Sequence, residues 1–563
     1  MTKLSRMAGA VLLLAAFLAA GHLSAAKKSH DAAVARNLNV FNALVKELEM
    51  NYVDTIRTDE AFQAAIDALL STVDPYTEYF SSDDAENLSR LATGQYGGIG
   101  SFIMERDSFT YISGPFEGSP AAEAGLLPGD RILRIDSIDA KGMRSDKVSK
   151  ALRGQPGTKL NLRVWRPYTD LRGSSDSILD FTIERRKLST PSVPYWTFDS
   201  VNGIGYVRLT TYIDRSPAEV QEALEAFKAK GDALKGVVLD LSANGGGLVE
   251  SAVDIVGFFV PKGTEVLRTR GRAGSADRVY RTSRTPILPD VPLAVIIDGG
   301  SASSSEITAG SLQDLDRAVL VGTRSFGKGL VQGTRALPYD SYLKVTTGKY
   351  YIPSGRLIQA IDYSHRNPDG SVARVPDSLT NVFRTKGGRE VRDGGGLTPD
   401  IKVDNENTTR LLYELVRGNF IFDFANRYVA AHPEKPDMER EMVTDEVYSE
   451  FKASIDPVKL KYDKVGNNLI ERLDTILKDE GFMNDSVRQQ LEVLGKLLVH
   501  DLDADLDAYR GQIAPFLAGE LADRYYFERG RSAQNRLNSK AYAAAVEALK
   551  QKDPLAATRP RKK

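Results

Sequence analysis

The sequence predicts an α/β multidomain protein, and three features of its pattern support this. Short alternating strands follow a glycine cluster near residue 95, apolar strands alternate with amphipathic helices from about 195, and helical periodicity dominates both ends. With 563 residues and 42% hydrophobic composition, the chain is long enough to bury several cores. Several domains in one chain are therefore expected.

Charge and cysteine content exclude several classes of function. Lysine plus arginine (74) nearly equals aspartate plus glutamate (75), so no overall field favours a nucleic-acid partner, and none is expected. The chain has no cysteine, which excludes disulfides, thiolate metal sites and a cysteine nucleophile. Without HExxH, paired histidines or a phosphate-binding glycine motif, the sequence predicts neither a metal nor a cofactor.

Residues 1–26 are typical of a secretory signal peptide. Lys3 and Arg6 precede a short apolar run, and the small residues Ser24 and Ala26 follow it. An uncleaved membrane anchor is the alternative, but the run is short for a full span. The prediction is export to the periplasm or cell envelope, with a protein that is soluble after cleavage.

Helical spacing of apolar residues in "LNVFNALVKELEMNYV" and "DEAFQAAIDALLSTV" predicts an N-terminal helical region over 27–94. The next region, 95–170, reads as a compact β module with one or two short helices, including "KVSKALRG". Over 171–404, runs such as "VVLDL" and "LAVII" between amphipathic helices indicate a largely parallel sheet covered on both faces. Residues 405–563 are predicted to form a helical domain.

The stretch "GSASSSEITAG" (300–310) lies between a predicted buried strand and a helix, which is not the place of a linker. A serine nucleophile needs a base, yet none of the five histidines follows a strand of the α/β region. A Ser-His-Asp triad is thus disfavoured, although sequence distance alone does not exclude His365. Lys328, in "SFGKGLVQG" after another predicted strand, is the next candidate, because burial lowers the pKa of a lysine. An exposed charge is the alternative for this lysine.

The segments "GSASSSEITAGSLQD" and "GTRSFGKGLVQ" resemble the active-site signature of the carboxyl-terminal processing proteases, the S41 serine peptidases with an embedded PDZ domain. That signature has a serine, a lysine twenty-five residues later and a glutamine four beyond, and Ser303, Lys328 and Gln332 have this spacing. Further segments in the family's order, "DPYTEYF", "YGGIG", "EGSPAAEAGLLPGDRILRID", "GKYYIPSGRLIQ" and "GGGLTPDI", extend the resemblance over about residues 40 to 403. It implies a PDZ domain at 95–170 and a protease core of the S41 type at 171–404.

The resemblance implies a serine endopeptidase with a Ser-Lys dyad. Ser303 would attack the scissile carbonyl, Lys328 would take and return the proton, and Gln332 would orient the lysine. Backbone N–H groups of Ser304 and Gly246 would form the oxyanion hole.

The loop around Gly246 departs from the family pattern. The usual stretch reads LDLRNNPGG, whereas this chain has "LDLSANGGG", with Ser242, Ala243 and Gly245 at the three changed positions. Three successive glycines predict a more flexible oxyanion loop. The change is also the one sequence feature that favours an alternative, a binding or scaffold protein that keeps the fold without catalysis.

A PDZ module binds a peptide's terminal carboxylate through a glycine-rich loop while the peptide adds as a strand. Candidate contacts are Gly97, Gly98, Ile99 and Gly100 in the loop, and Val148, Ala151 and Leu152 in the pocket for the last side chain. About half of these residues are expected to serve the domain's own core instead. Expected partners are proteins or peptides with accessible apolar C-termini, an adaptor protein and, by analogy with the family, a second copy paired through the N-terminal helices.

Overall fold

The computed structural model describes residues 30–84, 90, 92–167, 177–272, 274, 276–367, 369–404, 408–460, 464–497 and 501–555. The predicted signal peptide, 1–26, lies outside the described residues. Within them, no helix is both long enough and apolar enough to cross a membrane. The chain divides into two compact units, residues 1–79 and 80–563, which are described separately.

The described part of the first unit is helical, as predicted. Residues 30–51 form one helix, and α1 (Thr58–Ser71) is the next. The short strand β1 (Glu78–Phe80) begins at the end of this unit. No residue of α1 is buried. Both helices instead expose large apolar side chains, among them Leu38, Phe41, Leu44, Leu48 and Leu69.

The second unit begins with a β domain that contains two short helices. Its elements are β2 (Gln95–Gly98), β3 (Ser101–Arg106), β4 (Phe109–Pro115), α2 (Pro120–Glu123), β5 (Arg131–Ile135), β6 (Ile138–Asp139), α3 (Ser145–Leu152), β7 (Lys159–Arg166), β8 (Ser177–Glu184) and β9 (Arg186–Ser189). The sheet order is β3-β4-β5-β7-β8, with β6 beside β5, while β2 pairs with β9. Because β8 pairs with β7 along its whole length, this sheet extends past the boundary at 170 predicted from the sequence.

Alternation builds the core of this domain. In β7, Leu160, Leu162 and Val164 are buried while the residues between them are exposed. They pack with Ile132 and with Val148 of α3. The result is a half-buried antiparallel sheet closed by one helix.

The next region contains the remaining strands and three helices. They are β10 (Tyr195–Asp199), β11 (Ile204–Arg208), α4 (Ser216–Lys228), β12 (Gly236–Asp240), α5 (Val249–Val256), β13 (Glu265–Gly271), β14 (Arg278–Arg281), β15 (Leu293–Ile297), α6 (Ser304–Asp314), β16 (Val319–Gly322), β17 (Leu330–Leu337), β18 (Ser341–Tyr351), β19 (Ile361–Arg366), β20 (Val372–Arg374), β21 (Val382–Arg384), β22 (Glu390–Arg392) and β23 (Ile401–Lys402).

The main sheet has the order β10-β11-β12-β15-β16-β23. Only β10 and β11 pair antiparallel, and every later pair is parallel, which confirms the predicted, largely parallel sheet. A second sheet contains β14, β13, β18 and β17 as antiparallel neighbours. β19 pairs with β20, and β21 with β22.

Alternate side chains of the buried strands serve two different cores. In β12, Val237 and Leu239 pack on one face with Phe227 of α4, in a core that includes residues of α5 and α6. Val238 points to the other face, where it belongs to a core with Val546. Both faces of the sheet are therefore covered, which is why its strands read as continuous apolar runs.

The C-terminal helices are α7 (Arg410–Arg417), α8 (Phe420–Ala431), α9 (Asp445–Ala453), α10 (Lys464–Asp479), α11 (Asp485–Leu497), α12 (Leu502–Ala508), α13 (Arg510–Leu537) and α14 (Lys540–Leu549). Most pack around their own core, which includes Leu415, Phe424, Phe451 and Leu521. The last helix, α14, covers the second face of the main sheet. The helical domain therefore supplies part of the core that holds the sheet.

The helical domain also contacts the β domain. Arg106 of β3 forms an ion pair with Asp423 of α8 (3.2 Å), and Arg529 of α13 lies 3.6 Å from Glu117. Surface ion pairs of this kind contribute about 1 kcal/mol or less each. These pairs therefore affect the relative orientation of the two domains more than they affect the stability of either domain.

Candidate active site

The first element of the site is the turn between β15 and α6. Ser303 lies at the N-cap of α6 with φ 54° and ψ −114°, a backbone conformation that a non-glycine residue rarely adopts. Asp298 holds the start of this turn, since its Oδ1 accepts from Gly300 N (2.9 Å) and Ser301 N (3.1 Å). Ser303 is 9% exposed. Such a strained turn persists because the contacts around it determine its shape.

The second element is the loop after β16, which contains Lys328. The glycines on either side have no room for a side chain. A Cβ on Gly327, whose φ is +90°, would lie 2.4 Å from Ala360 Cβ, and one on Gly329 would lie 2.9 Å from Gln359 N. Close backbone packing thus determines the path of the chain on both sides of the half-buried lysine.

Glu306 joins these two elements. Its Oε2 accepts from the backbone N–H of Ser303 (2.9 Å) and of Lys328 (2.8 Å), and its Oε1 accepts from Gly327 N (2.7 Å) and the Ser325 hydroxyl. The side chain is fully buried. Burial raises the pKa of the Glu306 carboxyl above its ordinary value, although these four donors act to lower it. The serine and lysine segments are therefore fixed to one buried carboxylate.

Tyr350 of β18 makes a second connection. Its hydroxyl donates to the carbonyl oxygen of Lys328 (2.8 Å) and lies 3.3 Å from that of Ser303. Burial raises the pKa of Tyr350 well above its ordinary value, and the nearby Glu306 carboxyl raises it further. The hydroxyl consequently stays protonated and available as a donor.

Ser303, Lys328 and Gln332 line one cleft of about 750 Å³. Apolar side chains contribute to its wall, including Leu248, Val249, Ile307 and Leu330. Gln332 lies in β17 and its Nε2 donates to Thr346 Oγ1 (3.1 Å). Polar side chains line the same cleft, among them Thr211, Glu250, Thr334 and Lys344.

The loop that contains Gly246 lies against the turn between β15 and α6 that contains Ser303. A Cβ on Gly246 would be 2.8 Å from both Ser303 Cβ and Ser304 N. The N–H of Gly246, however, donates to Asn244 Oδ1 (2.9 Å), a partner that the glycine pattern alone did not indicate. Ser304 is the first residue of α6, so its own N–H has no acceptor within the helix.

Further bonds tie this loop to α6. Asn244 is fully buried, and its carbonyl accepts from Ala302 N (3.0 Å) and from the Ser305 hydroxyl (2.8 Å). The Ser304 hydroxyl donates to Gly247 O (2.8 Å). Three glycines in a row predicted a flexible loop. The structure instead gives this loop three hydrogen bonds to the Ser303 turn and the start of α6, and one hydrogen bond within the loop itself.

The predicted PDZ contacts separate into two groups. Ile99, Gly100 and Leu152 line a cavity of about 410 Å³ between β3 and α3. Gly97 and Gly98 lie in β2, paired with β9, and Val148 is completely buried in the domain core. Ala151 packs against that core. The first group thus faces the groove, and the second holds the domain together.

No histidine is placed in the cleft by the described residues. His365 lies on β19 with its side chain 86% exposed and contacts Asp362 (2.7 Å). Nor do His, Cys, Asp and Glu side chains gather in threes as a metal site anywhere in the described part of the chain. Tyr350, Asn244 and the link made by Glu306 were not among the features predicted from the sequence. The spacing of Ser303 and Glu306, three residues apart before a helix, was the available signal for a link between them.

Three family models match the chain. They are described as peptidase family S41 over residues 203–372, PDZ domain over 111–166, and probable PDZ-protease, C-terminal helical domain, over 411–549. Together with the α/β core and the serine at its strained turn, they define a serine-type peptidase.

Two bacterial relatives are named as proteases of the same class. A carboxy-terminal-processing protease of Bartonella bacilliformis is 32% identical over 399 residues, 68% of this chain and 89% of that protein. A probable CtpA-like serine protease of Staphylococcus aureus is 31% identical over 388 residues, 66% of this chain and 74% of the other. The chain belongs to peptidase family S41, among the carboxy-terminal-processing proteases.

Solved structures are similar over parts of the chain. The photosystem II D1 C-terminal processing protease is 24% identical, covers 64% of this chain and 86% of its own, and has a TM-score of 0.34. A PDZ domain of a carboxy-terminal protease from Vibrio cholerae, solved in complex with peptide, is 30% identical over 17% of this chain and 99% of its own, with a TM-score of 0.16.

Proposed function

We propose that this chain is an exported endopeptidase that uses a Ser303–Lys328 dyad, binds protein C-termini through its PDZ domain and cleaves the bound chain near that terminus. The observation that carries the proposal is the shared attachment of the two residues. One buried carboxylate, Glu306, accepts the backbone N–H of both, and both side chains line the same cleft. A nucleophile and its base must be held in such a fixed relation.

In this mechanism Ser303 Oγ attacks the carbonyl carbon of the scissile peptide bond as its proton passes to the neutral amine of Lys328. The Ser304 N–H stabilises the oxyanion of the tetrahedral intermediate, and the Gly246 N–H joins it by exchanging its bond to Asn244 Oδ1 for one to the oxyanion. The intermediate collapses to an acyl-enzyme, and the leaving amine takes the proton from Lys328. Water then attacks the ester carbonyl and gives a proton to Lys328; the bond to Ser303 Oγ breaks, Lys328 returns the proton to Oγ, and the new carboxyl terminus is released. Gln332, four residues along from the lysine, is assigned to orient it.

Substitution of the dyad tests the proposal. Ser303→Ala and Lys328→Ala are each expected to lower kcat on a peptide with an apolar C-terminus by at least about a thousandfold. Ser364→Ala and Lys402→Ala, at exposed positions outside the cleft, serve as matched controls. Lys344 also lines the cleft, so a Lys344→Ala protein without activity beside an active Lys328→Ala protein would reassign the base.

Export is a separate part of the proposal and rests on the sequence of residues 1–26. Production of the full chain in a bacterium and N-terminal sequencing of the mature protein are expected to give a first residue at position 27. An intact N-terminus in the membrane fraction would instead support an uncleaved anchor.

Pairing of two copies through the N-terminal helices is likewise proposed. Its support is the exposed apolar set that includes Leu38, Phe41, Leu44 and Leu48, which a second copy would cover. Sedimentation of the wild-type chain is expected to give a dimer and that of a Leu44→Glu, Leu48→Glu variant a monomer. Binding of an adaptor protein, considered for the C-terminal helical domain, stays a prediction from the sequence.

A further inference from the structure

Ser242 occupies the position at which the family pattern has an arginine, and its hydroxyl lies 3.1 Å from the guanidinium of another arginine. This arginine comes from the neighbouring strand: Arg208 ends β11 and lies beside Asp240, the last residue of β12, in parallel register. We infer that Arg208 is a positioning residue for the oxyanion loop, acting through Asp240 and Ser242. The inference rests on the proposed function, because it takes the loop at Gly246 as part of the oxyanion hole.

The contacts of Arg208 define a small buried cluster. Its Nη1 donates to Asp240 Oδ1 (2.9 Å) and to Ser242 Oγ (3.1 Å). The same Asp240 oxygen accepts from the Ser242 N–H (2.9 Å) and from the Ser242 hydroxyl. The Tyr206 hydroxyl donates to the other oxygen, Oδ2 (2.6 Å). The Arg208 and Asp240 side chains are only 17% and 11% exposed, so neither charge is well solvated.

Arg208 faces several negative groups and is the positive partner among them. Burial acts to lower its pKa, but the nearby carboxylates of Asp240, Asp298 and Glu528 act to raise it, and the pKa of Arg208 is raised. Removing the guanidinium would leave Asp240 as a buried carboxylate without its cation, which is far more costly than breaking an exposed pair. The chain near Asp240 would then have to rearrange.

That rearrangement would reach the oxyanion loop within a few bonds. The loop leaves Ser242 through Ala243, whose φ is 53° and whose N–H donates to Asp298 Oδ1 (2.8 Å). Asp298 is also the residue that holds the start of the nucleophile turn. Beyond Ala243 comes Asn244, which binds the Gly246 N–H. A shift at Ser242 therefore changes the position of the loop relative to Ser303.

The same geometry suggests how to restore the cluster. The Ser242 N–H and hydroxyl both point at Asp240 Oδ1, so a longer side chain at position 242 begins next to that carboxylate. An arginine placed there could supply the guanidinium from the loop itself. Arg208→Ala combined with Ser242→Arg is thus a second-site rescue, and recovery of kcat would show that a guanidinium beside Asp240, from whichever strand, is what the loop requires.

The experiment compares Arg208→Ala, Arg208→Lys and the double variant R208A/S242R on one peptide substrate. Arg317→Ala is the matched control, because that half-buried arginine donates to three backbone carbonyls elsewhere in the core, Phe259 O, Leu288 O and Val291 O. We expect Arg208→Ala to lower kcat by about thirtyfold or more with KM changed less than about threefold, since small misplacements of catalytic groups mainly affect the transition state. Arg208→Lys should be intermediate, and R208A/S242R should recover at least about a third of the wild-type kcat.

Three outcomes would overturn the inference. One is an Arg208→Ala protein with kcat within about twofold of the wild type, another is a loss no greater than that of Arg317→Ala at equal thermal stability, and the third is a double variant without recovery. A Gly246→Ala protein measured in parallel separates this from the proposed function. If Gly246→Ala is inactive and Arg208→Ala is active, only the role of Arg208 fails; if both are active, the oxyanion assignment itself fails.

Discussion

The buried carboxylate of Glu306 accepts the backbone N–H of Lys328 at 2.8 Å, although twenty-two residues separate them in the chain. The same carboxylate accepts the backbone N–H of Ser303, so this side chain, together with Tyr350, connects the serine and lysine segments.

Replacement of Glu306 by glutamine should impair both activity and stability. Four donors point at the two carboxylate oxygens, and the amide NH₂ of glutamine would face two of them. We expect a loss of about 1–3 kcal/mol in the free energy of unfolding. A fall in kcat of about tenfold or more should accompany it, because the serine and lysine segments separate. Chemical denaturation and steady-state kinetics measure the two effects, and an unchanged kcat would contradict the positioning role.

The contribution of Glu306 to stability should depend on pH. Burial raises its pKa in the folded protein above the unfolded value. Its contribution is therefore fully present below the unfolded pKa and is lost as pH rises through the folded pKa. Since glutamine does not titrate, the unfolding free energy of the wild type minus that of Glu306→Gln should decrease as pH rises from about 4 towards neutrality. A difference that increases over this range would show that the pKa is lowered instead.

Gly246→Ala should abolish activity in a protein that still folds. The added Cβ would lie 2.7 Å from Ala302 O and 2.8 Å from Ser304 N, and φ is +96°, so the loop must move away from the nucleophile turn. The loss in kcat should reach about a hundredfold, the usual cost of an impaired oxyanion hole. Gly245→Ala is the matched substitution, because a Cβ there meets nothing within 4 Å, and it should keep most of the activity. Equal kcat values for the two variants would refute this account.

Tyr350→Phe removes one hydroxyl and little else. The loss of its bond to the Lys328 carbonyl should cost about 1 kcal/mol of stability and lower kcat several-fold, with KM unchanged. Tyr351→Phe, at the next position of the same strand, serves as the control. A drop in activity with both variants would point to damage in the strand and not to the hydroxyl.

Activity should rise with pH. A lysine that acts as general base must first lose its proton, so the fraction of active enzyme increases through one ionisation assigned to Lys328. The logarithm of kcat/KM, measured from mildly acidic to alkaline pH, should approach a slope of 1 on its acid limb, about tenfold per pH unit. A flat profile would exclude a lysine base.

The catalytic signature could be read from the sequence because it is local. Ser303, Lys328 and Gln332 occur in two short segments, each after an apolar strand, and parallel strands bring such ends together at one edge of a sheet. The contacts of Glu306 could not be predicted in this way. Its donors come from positions 303, 325, 327 and 328, and only the fold determines that all four N–H and O–H groups meet one carboxylate.

The role of the C-terminal helices could not be predicted from the sequence either. Amphipathic spacing in "KAYAAAVEAL" indicates that one face is buried, but not what covers it. The structure places Tyr542 and Val546 against Tyr206 and Val238, more than three hundred residues earlier. Likewise, Asn244 appeared as an ordinary member of a glycine-rich loop, while its side chain is an acceptor for the N–H assigned to the oxyanion.

The position of α14 determines how much of the chain must be synthesised before the core of the main sheet is complete. The second face of the main sheet is covered by α14, so a growing chain cannot complete this core until residues 540–549 have been synthesised. A fragment that stops at 404 would leave Tyr206, Val238 and Ile296 uncovered. The core of the main sheet is thus built from two distant parts of the sequence, and a minimal folded fragment must keep both the sheet and α14.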